Sequence, residues 1–156
     1  MDIETLRNRY DRCFGCGEEN PVGLHLDDFR REGESLIAPF DPRAEYEGFA
    51  GTLHGGIVAT ALDEISAWSA MYKHHVLVFT ATLAIRYRKP AKANGSFTMK
   101  GTVLERRGRR LKITGEMLHD GTTVAQSDGL FIVAEDLTAE LGVTTESQRG
   151  ESSDVS

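Results

Sequence analysis

One long segment of the chain has the hydrophobic spacing of an α-helix. Between residues 53 and 75, apolar side chains recur with a period of about 3.6, which places them on one face of a helix. They are Ile57, Ala61, Ile65, Trp68 and Tyr72. The segment contains no proline and is too long for an ordinary strand. We predict a single long helix here.

Four later segments alternate apolar and polar side chains with the period of two that β-strands have. They cover residues 79–87, 97–103, 111–117 and 130–133. Turn sequences separate them, at Pro90 with Asn94-Gly95, at Arg107-Gly108 and at Asp120-Gly121. Because short turns join antiparallel neighbours, we expect each strand to pair with the next one along the chain.

The order of elements predicts the fold class. Before the helix, residues 23–26 and 35–40 are predicted as one or two further strands, and residues 41–52 as a loop. A single helix among about five antiparallel strands indicates an α+β fold in which the sheet wraps around the helix. We expect one domain over residues 1–136. Residues 137–156 are polar, which predicts a flexible tail after a last turn near residues 137–141.

The composition is that of an ordinary globular chain. With 156 residues and 40% hydrophobic side chains, one core can form without disulfides. The net charge of −6 disfavours a nucleic-acid binder, which needs a positive surface. No apolar run approaches the ~20 residues that span a bilayer, and the N-terminus lacks a signal peptide's apolar region. Having only Cys13 and Cys16 suits a reducing compartment. We therefore expect a cytoplasmic protein without membrane contact.

Positive charge is concentrated in one stretch of this acidic chain. Residues 85–112 hold ten Lys and Arg against one acid, Glu105, and carry +9, while the remainder carries −15. The segment is either a solvated hairpin or a surface for a discrete anionic group such as a phosphate.

Asp63 lies on a helix face of small residues. On a helical projection, its neighbours within about 60° are small. They are Gly56, Ala59, Thr60, Ser66, Ala67 and Ala70. A solvated face would normally carry Lys, Arg or Gln, so the pattern favours a functional carboxylate in a cleft. The bulky opposite face, including Trp68 and Tyr72, is predicted as core, as is Phe79 on the following strand.

The glycines before the helix suggest an oxyanion hole. His54-Gly55-Gly56 precedes the first turn, where backbone N–H groups have no intrahelical partner. Donors placed in this way stabilise the oxygen of a carbonyl under attack; alternatively, the glycines only permit a tight turn. An α/β-hydrolase is excluded because the chain contains no G-x-S-x-G motif.

Taken together, the H-G-G motif and the Asp seven residues later, at positions 54–63, resemble the helix motif of the hotdog-fold thioesterases, particularly their PaaI-type and THEM-type branches. Two further segments are similar to that superfamily. They are Cys13-Phe14-Gly15-Cys16-Gly17 with Asn20-Pro21 and Gly23-Leu24, and Tyr87 with Pro90-Ala91. The similarity covers roughly residues 20–134. It implies the hotdog fold, a long helix wrapped by a five- or six-stranded antiparallel sheet.

The resemblance also implies an activity, the hydrolysis of an acyl-CoA thioester to a free acid and CoA. It implies that Asp63 acts as general base or nucleophile, that Gly55 donates its N–H to the thioester carbonyl, and that Thr80 helps to place the water. For His54, orienting the loop is favoured over proton transfer. The implied CoA contacts are Tyr87, Arg107, Arg109 and Arg110.

The same resemblance implies a homodimer or a homotetramer, because in this family the oxyanion loop of one subunit faces the carboxylate of the other. No metal or redox cofactor is expected, since CoA is part of the substrate. Gly48 stands where some members have a contributing Asn, six residues before the histidine. That departure keeps a non-catalytic acyl-CoA-binding module as the alternative function.

Three further interpretations concern residues near the motif. Glu64 lies about 100° round the helix from Asp63 and is the alternative acid. Thr80 is expected to share a polar strand face with Thr82, Arg86 and Arg88. Cys13 and Cys16 form a lone pair, so a four-ligand zinc site would need His25 or another subunit.

Overall fold

The structure, a computed structural model, describes residues 2–142. Its helices are α1 (Ile3–Arg7) and α2 (Gly55–His74), with single 3-10 turns at Asn8–Tyr10 and Ala44–Tyr46. Its strands are β1 (Arg30–Glu32), β2 (Ser35–Phe40), β3 (Val76–Tyr87), β4 (Phe97–Arg107), β5 (Arg110–His119) and β6 (Thr122–Asp136). Within these residues, no helix is both long and apolar enough to cross a membrane.

Helix α2 lies against a six-stranded antiparallel sheet, which confirms the α+β hotdog fold. The helix begins where His54 caps it and ends at His75, which adopts a left-handed conformation with φ 55°. Its bulky face is in the core, as Ile65 and Trp68 show. Its small face is buried as well towards the C-terminal end, because Ser66 and Ala70 are inaccessible to solvent. The small face is therefore accessible mainly in its first half, where Gly56 is exposed and Asp63 is half-buried.

The strand order is β1-β2-β4-β5-β6-β3, so the expected pairing of the first strand after the helix with the second is wrong. Residues 88–96 contain a tight turn, closed by the N–H of Gly95 donating to the carbonyl of Lys92 at 3.0 Å, but they do not join β3 and β4 as a hairpin. Their backbone is held by other segments: the N–H of Leu53 donates to the carbonyl of Ala91, and the N–H groups of Arg88 and Lys89 donate to that of Val124. Strand β3 crosses over in this way and pairs with β6 at the edge of the sheet.

The prediction of a strand at residues 23–26 is also wrong. His25 has a φ of 53°, which interrupts an extended conformation. The N–H groups of Leu24 and Leu26 donate instead to the carbonyls of Phe14 and Gly15. This segment is therefore an irregular layer over the N-terminal loop, and the additional strand is β1.

Strand β3 is largely open to solvent along its free edge. Phe79, which the sequence analysis predicts as core, is 74% exposed, because it lies on the outer surface of an edge strand. Trp68 is buried and Tyr72 is half-buried, packed against the core.

The turn expected near residues 137–141 is present. Leu137 is buried, and the N–H of Leu141 donates to its carbonyl at 3.0 Å. The rest of the segment predicted as a flexible tail, residues 143–156, lies outside the described residues.

Candidate active site

Asp63 and Thr80 form a hydrogen-bonded pair between α2 and β3. The Thr80 hydroxyl donates to Oδ1 of Asp63 at 2.6 Å. Asp63 is half-buried and Thr80 is exposed, so the pair is open to a ligand. Among residues 2–142, no other side chain hydrogen-bonds to this carboxylate, which leaves its second oxygen available to accept a proton from water.

A β-bulge determines which way Thr80 points. The register of β3 against β6 shifts between Thr80 and Thr82, so Ala81 is the extra residue. Since a bulge reverses the alternation of faces, Thr80 lies on the helix side with Leu83, Ile85 and Tyr87. The expectation that Thr80 shares a face with Thr82, Arg86 and Arg88 is wrong for this reason.

The start of α2 presents one free donor. His54 accepts a hydrogen bond from the N–H of Gly56 at its Nδ1, at 2.9 Å, an arrangement that orients the loop. Because Nδ1 is an acceptor here, the ring proton belongs on Nε2. The N–H of Gly55 has no partner among the described residues, as an oxyanion donor requires.

Tyr87 holds the same loop from the other side. Its hydroxyl donates to the carbonyl of Gly55 at 2.7 Å, and this places the side chain against the helix start. From the sequence, Tyr87 is expected to bind CoA, and no local pattern predicts its contact with Gly55, because the two residues are far apart in the chain.

Gly48 lies directly against His54. A Cβ on Gly48 would come within 2.9 Å of the His54 Cα, closer than real Cβ atoms approach backbone. No side chain fits there without moving the loop. The departure from the Asn of some family members therefore follows from how closely this loop packs.

In one chain, Gly55 and Asp63 are too far apart to act on one carbonyl group. They stand eight positions apart on α2, which corresponds to about 12 Å along the axis. The structure thus brings Asp63 together with Thr80, and His54 together with Gly55 and Tyr87, as two separate groups.

The three arginines that are expected to contact CoA surround the β4–β5 turn. They differ in whether their side chains already have a hydrogen-bond or ionic partner. Arg107 pairs with Glu105 at 2.5 Å, and Arg109 donates to the carbonyl of Val133 at 2.8 Å. Arg110 is exposed and has no ionic or hydrogen-bond partner among residues 2–142. We call Arg107, Arg109 and Arg110 the basic turn.

The basic turn and Tyr87 lie at opposite ends of the sheet. Arg110 pairs with Ile132, which pairs with Phe79, so it is about 10 Å from β3 at that level. Tyr87 is roughly 25 Å further along β3 from Phe79. The positive stretch of residues 85–112 is therefore split between the two ends of the sheet.

Glu64 belongs to a separate cluster with the two cysteines. Its carboxylate lies 3.7 Å from the Sγ of Cys13, and the Nε1–H of Trp68 donates to it at 3.0 Å. Burial, followed by the proximity of Cys13, raises the pKa of Glu64 to about 7. A hydrogen bond from the Cys16 thiol lowers the pKa of Cys13 to about 5 and raises that of Cys16.

From the sequence, Glu64 is expected only as an alternative acid, and its cluster with the two cysteines is not predicted. A Glu four residues before a Trp on a helix is the one local signal for it, because that spacing places the two side chains together. An apolar cavity of about 160 Å³ opens beside the cluster, between Trp68 and Met71 of α2 and Val78 of β3.

Comparison with known proteins gives consistent matches. The family model described as Thioesterase superfamily matches residues 50–126. The acyl-coenzyme A thioesterase THEM4 of Xenopus laevis is 27% identical over 134 residues, which cover 83% of this chain and 60% of that protein.

Two solved structures share the fold. A thioesterase superfamily protein superposes with a TM-score of 0.72 at 23% identity, covering 78% of this chain and 60% of that one. A hypothetical thioesterase from Streptococcus pneumoniae TIGR4, solved with coenzyme A, superposes with a TM-score of 0.65 at 17% identity, covering 70% of this chain and 89% of that one. The chain thus spans 60% of the length of both the curated relative and the first of these structures.

Proposed function

We propose that the chain is an acyl-CoA thioesterase of the thioesterase superfamily whose active site is shared between two subunits, as the match of that superfamily's model to residues 50–126 and the similarity to THEM4 support. The observation that carries this proposal is the Asp63–Thr80 pair, a half-buried carboxylate held by one hydroxyl. The relative named as an acyl-coenzyme A thioesterase, and the fold relative solved with coenzyme A, support the substrate class.

The chemistry proposed for Asp63 is general-base catalysis. A water molecule beside the free carboxylate oxygen attacks the thioester carbonyl carbon and transfers a proton to Asp63. The C–S bond then breaks, and the CoA thiolate takes up that proton as it leaves. Thr80 fixes the orientation of the carboxylate through Oδ1. Direct attack by Asp63, with a mixed anhydride that water then hydrolyses, is the alternative route.

The oxyanion that forms during this attack needs a donor near Asp63. The N–H of Gly55 is suitable, and such a donor contributes roughly 2.7 to 4 kcal/mol to transition-state stabilisation. Because Gly55 is about 12 Å from Asp63 in the same chain, we assign this role to Gly55 of the partner subunit. Tyr87 and His54 orient the loop that presents it.

Pairing of two β3 edges supplies the required geometry. Exposed edge strands are a liability that proteins cover or pair, and β3 is long and partly apolar. An antiparallel pair centred between Leu83 and Ala84 sets position 80 of one chain level with position 87 of the other. Since Tyr87 holds Gly55, this pairing carries the oxyanion donor towards the Asp63–Thr80 pair.

The basic turn fits the same assembly. Arg110 is level with Phe79, the neighbour of Thr80, and shares the outer face of the sheet with Phe79. It is therefore at the end of the sheet where the shared site would form, on the face turned away from the helix. We propose that Arg110 binds a phosphate of CoA. The hydrolytic steps proposed here require no redox cofactor, and the protein is proposed to work in the cytoplasm.

The experiment that tests this function measures thiol release from a panel of aryl, short-, medium- and long-chain acyl-CoAs. We expect release from at least one substrate class, and its loss in Asp63→Asn. A matched control is Asp28→Asn, since Asp28 is exposed and its φ of 54° is one that Asn tolerates. Tight acyl-CoA binding without release from any member of the panel would instead establish the alternative, a non-catalytic binding module, which the glycine at position 48 favours.

A further inference from the structure

The N-terminal loop and helix α2 together hold a second cluster of reactive side chains. The two Sγ atoms of Cys13 and Cys16 and a carboxylate oxygen of Glu64 all lie within 4.8 Å of one another. Asp63 and Glu64 are successive residues on α2, so their side chains diverge by about 100°. The cluster is therefore separate from the Asp63–Thr80 pair.

The loop between the cysteines is folded around the sulfur of Cys13. The N–H of Gly17 donates to the carbonyl of Cys13 at 2.8 Å, which closes the loop. The N–H of Leu26 donates to the carbonyl of Gly15 at 2.9 Å, which holds the loop between the cysteines from its other side. A loop fixed in this way keeps the two thiols, whose thiolate form ligates metals, close together.

Glycine at position 15 lets the carboxylate reach this loop. A Cβ there would overlap the Glu64 side chain, so only a glycine permits the contact. The Nε1–H of Trp68 then fixes the carboxylate by donating to Oε1 at 3.0 Å. Metal-binding carboxylates are typically oriented by an outer hydrogen bond of this kind.

The distances match a tetrahedral metal site. With Zn–S near ~2.3 Å and Zn–O near ~2.1 Å, two ligands of a tetrahedral zinc lie about 3.6 Å apart. The Cys13 Sγ is 3.7 Å from Oε1 and 3.9 Å from Oε2 of Glu64. The separation of Cys13 and Glu64 could therefore span a metal with a shift of a few tenths of an ångström. The Cys16 sulfur, within 4.8 Å of both ligands, would approach them by up to about 1 Å.

The negative charge of the Glu64 carboxylate and the two cysteines in their thiolate form would be stabilised by a cation. Among the described residues, the polar side chains that lie against the Glu64 carboxylate are those of Cys13, Cys16 and Trp68. None of them is a Lys or an Arg. A divalent ion would offset the negative charge of a carboxylate and two thiolates, which burial otherwise disfavours.

We propose that Cys13, Cys16 and Glu64 bind one zinc ion. Thiolate and carboxylate donors together suit this borderline-soft ion. His25, considered above as a further ligand, is not in the cluster, because its ring contacts the carbonyl of Asn20 on the exposed side of the loop. The three residues also line the apolar cavity beside Met71, so a water molecule from that side could supply a fourth ligand.

Binding of zinc would fasten the N-terminal loop to α2. The two cysteines stand on that loop and Glu64 stands on the helix, so the metal links segments about fifty positions apart. Ligand binding of this kind contributes directly to folding stability. The inference does not depend on the proposed hydrolysis, since Asp63 and Thr80 are not ligands.

The test measures metal rather than activity. The full chain is purified under reducing conditions, dialysed with zinc and then without it, and analysed for metal by mass spectrometry. We expect about one zinc per chain, a fall in Tm on chelation, and thiolate-to-cobalt charge-transfer absorption after substitution with Co²⁺.

Variants locate the ligands. Cys13→Ser and Glu64→Gln should each lose the zinc. His25→Asn should keep it, and it is a suitable control because Asn tolerates the φ of 53° at position 25. If a ligand variant fails to fold, zinc release during titration of the wild-type thiols with a mercurial provides the same information. A metal-free wild-type protein with reduced cysteines, a Cys13–Cys16 disulfide under these conditions, or zinc retained in folded Cys13→Ser and Glu64→Gln would overturn the proposal.

Discussion

The hydroxyl groups of Thr80 and Tyr87 both hydrogen-bond to helix α2, although these residues are seven positions apart on β3. In a regular strand, residues an odd number of positions apart face opposite sides of the sheet. The bulge at Ala81 restores a common face. One strand therefore positions the Asp63 carboxylate through Thr80 and the loop carrying the Gly55 N–H through Tyr87.

Thr80→Val should slow hydrolysis by about tenfold, because the lost hydrogen bond to Asp63 is worth roughly 1 to 1.5 kcal/mol. Thr80→Ser keeps the hydroxyl and should retain most of the activity. The comparison is made on kcat with a saturating acyl-CoA. Equal rates for the Val and Ser variants would show that the Asp63–Thr80 contact is unimportant.

Tyr87→Phe should reduce kcat several-fold and leave KM nearly unchanged. The variant removes the hydrogen bond to the Gly55 carbonyl, which orients the oxyanion loop, and it keeps the aromatic ring. Steady-state kinetics separate the two parameters. If KM rises while kcat is preserved, Tyr87 contacts CoA, as the sequence analysis expects, and does not act through Gly55.

Phe79→Lys should weaken the association of subunits. Phe79 is 74% exposed on the edge strand, and burying such a side chain contributes about 1.5 to 3 kcal/mol, so we expect a roughly ten- to hundred-fold rise in the dissociation constant. Sedimentation equilibrium measures this. Leu104→Lys is the control, because Leu104 is 63% exposed but lies on the interior strand β4. Equal effects of the two variants would argue against the β3 edge as the interface.

Arg110→Glu should raise KM for acyl-CoA at low ionic strength, and the effect should shrink as salt screens the charge. Arg110 has no ionic partner among residues 2–142, so its guanidinium is available to a phosphate. Arg30→Glu is a suitable control, since Arg30 is exposed and pairs with Asp28 at 2.8 Å. An unchanged KM for Arg110→Glu would remove this residue from the CoA site.

Local patterns of the sequence predict the helix and the strands after it, and the structure confirms these elements. The period of Ile57, Ala61 and Ile65 depends only on neighbouring residues, and so do the turns at Gly108 and Gly121, both of which adopt positive φ. The pairing of β3 with β6 could not be predicted in the same way. It depends on hydrogen bonds between residues 88–91 and two distant segments, which leave no local pattern.

The candidate active site likewise combines features that local sequence patterns predict with features that depend on distant contacts. Asp63 can be identified because small residues surround it on a helical projection of the sequence, and its motif indicates the family. The bulge at Ala81 inserts one ordinary residue into a strand, and nothing in the composition reveals it. The contact of Glu64 with Cys13 joins the N-terminal loop to α2. The spacing of Glu64 and Trp68 is its one local signal, and that spacing does not indicate that the cysteines lie beside them.

The shared active site depends on a donor that can be removed without disturbing the helix. Gly55 is the first residue of α2, a position where proline is well tolerated. His54 before it has φ −62° and ψ 135°, which suits a residue preceding proline. Gly55→Pro therefore deletes the N–H with little strain, and Gly55→Ala, whose Cβ would lie 3.5 Å from the Tyr87 hydroxyl, retains it as a control.

The most direct test combines Asp63→Ala and Gly55→Pro in mixed dimers. Each variant alone should be nearly inactive, because every site lacks either the base or the oxyanion donor. In a mixed dimer, one of the two sites pairs an intact Asp63 with an intact Gly55. Random mixing of equal amounts by co-expression makes about half of the dimers mixed. Since one of the two sites in each mixed dimer is intact, about a quarter of the wild-type thiol release should be restored. Thiol release from wild-type protein together with no recovery in verified mixed dimers would contradict the shared site.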